Sequence, residues 1–232
     1  MADNIIHTKK YCADGSNCLS DISDSEIWRY AGFRGKENEI GDELLSALKD
    51  VKSEMKELIT YRVCYSTFDV SCDSIVLPFE SNSENLLSAL NGAERVVFFA
   101  ATLGIDVDRY IMKMQHVSPV KSLLAQSFGA ERIEALCDCF MNEMQHEAII
   151  NGEGISRRFS PGYGDFSLEK QKDFFTLLDL NRKIGLSLNS SLLISPSKSV
   201  TAVFGIGKNI KRSSSRNKCL ECSNILCEFR NI

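Results

Sequence analysis

The segment Arg158-Phe159-Ser160-Pro161-Gly162-Tyr163-Gly164-Asp165 concentrates more chemical groups than any other stretch of the chain. Proline and glycine exclude a helix here, although both flanks read as helix. Gly162 and Gly164 permit positive φ and let backbone N–H groups come close to a ligand. Arg158 and Asp165 supply opposite charges, and Tyr163 supplies a flat face with a polar tip. This is the composition of a small-molecule loop. A plain surface turn draws on the same glycine and proline.

A second cluster is Cys219-x-x-Cys222-x-x-x-x-Cys227. Thiolates at such spacing bind zinc or an iron–sulfur cluster. A closed tetrahedral site needs four ligands, and His7, His116 and His146 are all distant in sequence. A fourth ligand would come from Cys12, Cys18 or a partner chain; otherwise the tail is redox-active or unstructured. The spacing is not that of the radical S-adenosylmethionine enzymes. The other cysteines are scattered. An odd total of nine, with no secretory signal, argues against a disulfide framework and for mostly buried, hydrophobe-like thiols. His116 and His146 read as surface residues. Gly205-x-Gly207-Lys208 is a poor phosphate loop, because no capped helix follows it.

The elements that must position these groups follow from periodicity. Residues 1–22 read as a flexible lead-in. Ser23 or Asp24 caps a short helix through Glu26, Ile27 and Tyr30, ended by Gly32 and Gly35. Ile40, Leu44, Leu45, Leu48, Val51, Met55 and Leu58 fall at helical spacing. Arg62–Thr67 and Ser74–Leu77 read as short strands. Ser83 caps a helix over 84–90. Arg95–Ala101 is a continuous apolar run, as expected of a central strand. A short helix over 105–114 follows. Ser118-Pro119 then starts a long helix to about Ile150, long enough to allow a break near Gly129. Ser167 caps a further helix to about Leu180. Ser191–Ser195 and Val200–Ile206 read as a pair of strands around Pro196-Ser197-Lys198. Strands and helices do not alternate strictly, which favours α+β. The domain is expected over 23–207, followed by a basic linker and cysteine-rich tail over 208–232.

Composition is ordinary for a globular chain of 232 residues, with 44% hydrophobic and 25% charged residues. A net charge of -4 argues against nucleic acid or an anionic membrane as partner. No apolar run reaches membrane-spanning length. The polar stretch from Met1 to Asp21 has no signal-peptide core, so a cytoplasmic address is expected.

The order of motifs resembles the activation domain of cobalamin-dependent methionine synthase, in the stand-alone form of some anaerobic bacteria. Ala101-Thr102-Leu103-Gly104 precedes a helix containing Ile133-Glu134-Ala135-Leu136-Cys137-Asp138. Arg158 to Asp165 comes next, with Leu168, Gln171 and Leu178 behind it. Ile184-Gly185 leads to Pro196-Ser-Lys-Ser-Val-Thr201. The likeness covers roughly residues 24–207.

The resemblance implies a mixed α/β domain with a twisted antiparallel sheet and flanking helices that binds S-adenosylmethionine. It implies an accessory reactivation role in methionine biosynthesis, not a complete methyltransferase. A flavodoxin-type donor reduces a partner's oxidised cobalamin, and S-adenosylmethionine remethylates it. The partner would be a methionine synthase lacking its own activation domain, or a related corrinoid protein. Arg158 then belongs to the ligand loop, where a guanidinium can pair bidentately with the methionyl carboxylate. Pro161, Gly162 and Tyr163 give backbone contact and an aromatic wall, and Asp165 is counted among the residues that bind the ligand. Glu134 or Asp138, four apart on one helix face, matches the family's acidic contact; two solvated acids are the alternative.

The chain departs from the long form of the family after Tyr163. Gly164-Asp165-Phe166-Ser167 stands where that form has a proline-alanine-cysteine-proline run and a histidine. No Asp-x-His-x-x-Gly corrinoid element is present. Two other readings are a docking module for a corrinoid methyltransferase that no longer binds S-adenosylmethionine, and a metal or redox protein acting through the C-terminal cysteines.

Overall fold

The computed structural model describes residues 5–12, 19, 21–33, 39–70 and 77–210. Its centre is β3 (Arg95–Thr102). Successive side chains of a strand point to opposite faces. Val97, Phe99 and Ala101 therefore enter one core, and Val96, Phe98 and Ala100 enter another. Both faces are covered, which is why the run is apolar without alternation.

Four further strands complete an antiparallel sheet: β1 (His7–Tyr11), β2 (Tyr61–Asp69), β4 (Gly154–Ile155) and β7 (Ser199–Gly207), in the order β1-β2-β3-β7-β4. The β3–β7 register runs from Arg95 opposite Ile206 to Thr102 opposite Ser199. On one face lie α1 (Asp24–Tyr30), α2 (Asp42–Lys56), α4 (Ile105–Val117) and α5 (Pro119–Ile150). On the other lie α3 (Glu84–Ala89), α6 (Gln171–Leu178) and α7 (Leu180–Ile184). The caps fall where serine and proline predict. Ser23, Ser83 and Ser118 each accept a first-turn backbone N–H through the hydroxyl, and Pro119 opens α5.

Four expectations change. The lead-in over 1–22 contains a strand, β1, which pairs with β2. Only Tyr11 of β1 is buried, so no alternating pattern marks it. It is held from outside instead, by the Tyr11 hydroxyl and the Lys9 ammonium, each donating to Glu143 at 2.6 Å. The long helix is unbroken at Gly129 across its 32 residues. Segments 191–195 and 200–206 are not partners of each other. β6 (Ile194–Ser195) pairs with β5 (Ser187–Leu188), while β7, apolar on both faces, takes a central place beside β3. Cys64, Cys137 and Cys139 are buried as expected, but Cys139 is disulfide-bonded. The expected strand at 74–77 lies mostly outside the described residues.

One buried pair fixes the start of the domain. Arg132 and Glu131 on α5 are ion-paired, at 3% and 6% side-chain exposure. Arg132 donates to the Asp21 carbonyl at 3.2 Å, and Glu131 accepts from the Ser23 N–H at 3.2 Å. This ties the N-terminus of α1 to the long helix.

Candidate functional site

The 158–165 loop is suspended from the outer edge of β7. After β4, the Ser156 N–H donates to the Gly205 carbonyl, and the Gly205 N–H donates to the Ser156 hydroxyl, both at 2.9 Å. Phe159 and Val203 then exchange two backbone hydrogen bonds, at 2.8 and 2.9 Å. Pro161 is buried. Gly162, at φ +95°, donates to the Phe166 carbonyl at 2.7 Å, and the Phe166 N–H donates to the Tyr163 carbonyl at 2.9 Å. Gly164 sits at φ +55°. Phe166, 1% exposed, plugs the α3–α6 core against Phe79, Phe159 and Phe174. Tyr163 is left 69% exposed at the tip.

Arg158 reaches α5. One Nη donates to Asp138 Oδ1 at 2.6 Å and the other donates to Glu134 Oε2. The arginine side chain is 13% exposed, whereas Glu134 and Asp138 are 45% and 50% exposed. Burial disfavours the guanidinium charge, but Cys137, Glu134 and Asp138 together outweigh it and the pKa is raised. One cation against two carboxylates leaves the cluster one negative charge in excess. Such a site favours a cationic group such as an ammonium or sulfonium.

Asp165, assigned to the ligand site from sequence, is bonded within the chain. Its carboxylate accepts from the Ser83 hydroxyl and from the N–H groups of Glu84, at 2.8 Å, and Asn85, at 3.4 Å. It thus anchors the loop to the first turn of α3, where a carboxylate is favoured. The Ser83 hydroxyl foremost, then the Asn85 and Glu84 amides, holds the carboxyl below its usual range despite some desolvation. Arg158 is also altered relative to expectation, since its own acids already occupy both terminal nitrogens.

The structure therefore brings Arg158, Glu134 and Asp138 into contact at the start of the loop, while the turn that carries Gly162 and Gly164 packs toward Leu168 and Asn85. Asp165 faces the other side of the sheet. There it borders an open cleft of ≈ 290 Å³ with Glu80, Asn82, Ser83, Ser167 and Lys170. Two further residues were not assigned a role from sequence. Tyr30 at the end of α1 lies near Glu134; burial first, then the charge of Glu134, pushes its phenol up. Lys198 extends over Gly129 of α5. The glycine inside a helical pattern was the available signal for that contact. Cys219, Cys222 and Cys227 lie outside the described residues. Among the described residues no three His, Cys, Asp or Glu side chains are grouped to hold a metal ion. No described helix is long and apolar enough to cross a membrane, and His116 and His146 are exposed.

These features define a mixed α/β domain with one curled antiparallel sheet between two helical layers and an edge loop clasped to both. No protein-family profile and no curated protein matches the sequence. Among solved structures the chain is similar to the MetH reactivation domain bound to AdoHcy. The TM-score is 0.60 over 90% of this chain and 80% of that one, at 12% sequence identity. The likeness establishes the fold and agrees with the α+β class read from sequence.

Proposed function

We propose that the chain binds S-adenosylmethionine beside the 158–165 loop and presents it to a corrinoid protein, as an accessory reactivation subunit. The observation that carries this reading is the Arg158–Glu134–Asp138 cluster. It gives an excess negative charge where α5 meets the start of the loop that carries Gly162 and the exposed Tyr163, in a fold shared with a domain solved with AdoHcy.

The donor fits these residues. Its sulfonium and amino group carry positive charge, which Glu134 and Asp138 are placed to offset. Tyr163 offers a ring for the adenine, and Gly162 offers close backbone approach. The donor supplies the methyl group, and the sulfur leaves as S-adenosylhomocysteine. A flavodoxin-type protein supplies the electron to the partner's cobalamin. The chain contributes orientation and enclosure. No acid or base is needed from it, since no proton is transferred in a sulfonium methyl transfer. The partner in this reading is a methionine synthase lacking its own activation domain.

Calorimetric titration with S-adenosylmethionine and S-adenosylhomocysteine tests the reading. Saturable binding that weakens in Glu134→Gln and Asp138→Asn supports it. Absence of binding at millimolar ligand, alone and with a corrinoid partner present, refutes it. One observation favours a second reading, a docking module that has lost the donor: Arg158 is already paired within the chain. Retained complex formation with a corrinoid protein, without donor binding, would favour that module.

A further inference from the structure

Both terminal nitrogens of Arg158 are hydrogen-bonded to carboxylates. A ligand carboxylate arriving there would meet two like charges and would have to displace one. A zwitterionic ligand needs its cation elsewhere, and Lys198 lies against the same helix, α5, at Gly129.

Lys198 sits on the connection between β6 and β7. The connection is fixed at two points. The Leu103 N–H donates to the Lys198 carbonyl at 3.0 Å. The Ser197 N–H and hydroxyl each donate to Asp108 at 2.7 Å. From there the lysine stem lies flat across Gly129. A Cβ added at 129 would stand 3.1 Å from the lysine Cγ and Cε and 3.2 Å from Cδ. Glycine is disfavoured inside a helix, and here its missing side chain makes the channel that the stem fills.

The ammonium at the end of this stem has no hydrogen-bond or ion-pair partner among the described residues. Asp108, the carboxylate whose field acts on it, is bonded to Ser197. Burial outweighs that field and lowers the lysine pKa. A partly buried, unpaired ammonium is unfavourable, and a bound anion would relieve it. The half-buried positions of α5 beside Gly129 are Gln126, Ala130, Glu134 and Asp138, spaced as one stripe. The rise from Gly129 to Glu134 is about 7.5 Å, the scale of an amino acid and its side chain.

We propose that Lys198 is the anion anchor of the site and receives the carboxylate of the ligand's amino-acid end, while Glu134 and Asp138 face its cationic part. This inference rests on the S-adenosylmethionine reading and assigns the carboxylate subsite within it. Arg158 then acts as the organiser of the acidic pair.

The test compares S-adenosylmethionine with its decarboxylated analogue in wild type and Lys198→Met, by calorimetric titration. Methionine keeps the stem over Gly129 and removes the charge; Lys198→Gln is the second variant if the first does not fold. Lys198→Met should lower affinity for S-adenosylmethionine about tenfold or more relative to its effect on the analogue, the scale of one hydrogen bond to a charged group. An unchanged ratio between the two ligands overturns the anchor and leaves the donor reading standing. A wild type that binds neither S-adenosylmethionine nor S-adenosylhomocysteine overturns both.

Discussion

Replacing Arg158 with methionine removes the hub of the candidate site while keeping most of its volume. Two contacts are lost, to Asp138 and Glu134. Exposed ion pairs contribute about 0.2–1 kcal/mol, and hydrogen bonds to charged groups about 1.5–3 kcal/mol. Here the arginine is 13% exposed and its partners about half exposed. Each contact therefore falls near the boundary of those ranges, at about 1 kcal/mol. The acids left behind are like charges one helical turn apart, which adds about 0.3–0.5 kcal/mol. The expected loss is about 2–3 kcal/mol, or roughly 4–12 °C in Tm for a domain of this size. Thermal unfolding followed by circular dichroism measures it. Adding Glu134→Gln and Asp138→Asn to Arg158→Met should recover part of the loss, because the repulsion goes with the charges. Hydrogen exchange over 159–165 should rise in the single variant. A Tm within about 1 °C of wild type, with unchanged exchange in the loop, would refute the organising role.

Two other substitutions probe the attachment of that loop and the packing of β7. Asp165 has a lowered folded pKa, below an ordinary value of 3.8, so its stabilisation is present above that pH and is lost as pH falls through the folded value. Asp165→Asn should flatten the acid limb of a Tm-against-pH curve below about pH 4; an identical limb in both proteins would rule out the anchor. Gly207→Ala places a Cβ 2.3 Å from the Gly92 carbonyl oxygen and 3.0 Å from the Glu94 nitrogen, both backbone atoms. A loss of about 1–3 kcal/mol in urea unfolding is expected, and full retention of stability would mean that the 90–94 turn moves freely.

The sequence made the centre of the fold legible and its margins much less so. Arg95–Ala101 announced a strand covered on both faces because seven consecutive apolar or long side chains admit little else. Ser23, Ser83 and Ser118 marked helix starts because a hydroxyl ahead of a helical run has a local job. β1 was invisible, since four of its five side chains are exposed and its partners are fifty or more residues away. At the site, Arg158 was readable from one motif, and Glu134 or Asp138 as alternatives on one helix face. Its internal pairing was not, because a charge pattern does not say whether the partner is a ligand or the chain itself. Asp165 illustrates the same limit. An aspartate closing a glycine turn fits a ligand or a neighbouring helix equally well, and only the location of Ser83 decides. Gly205 and Gly207 resembled a failed phosphate loop. Their absent side chains instead admit the 90–94 turn, a contact between segments far apart in the chain.

The central ladder has a consequence for how the molecule forms. β3 can pair only with β2 on one side until β7 has been made, and β7 is the last described strand. Throughout synthesis of α4, α5 and the loop, the backbone N–H and C=O groups along that edge of β3 therefore stay unpaired. Helices α4 and α5 contact each other locally and can form early. The sheet closes late, across a large loop of chain. A ribosome pausing between residues 160 and 199 would thus hold an apolar edge strand exposed, the interval in which this chain most needs a chaperone.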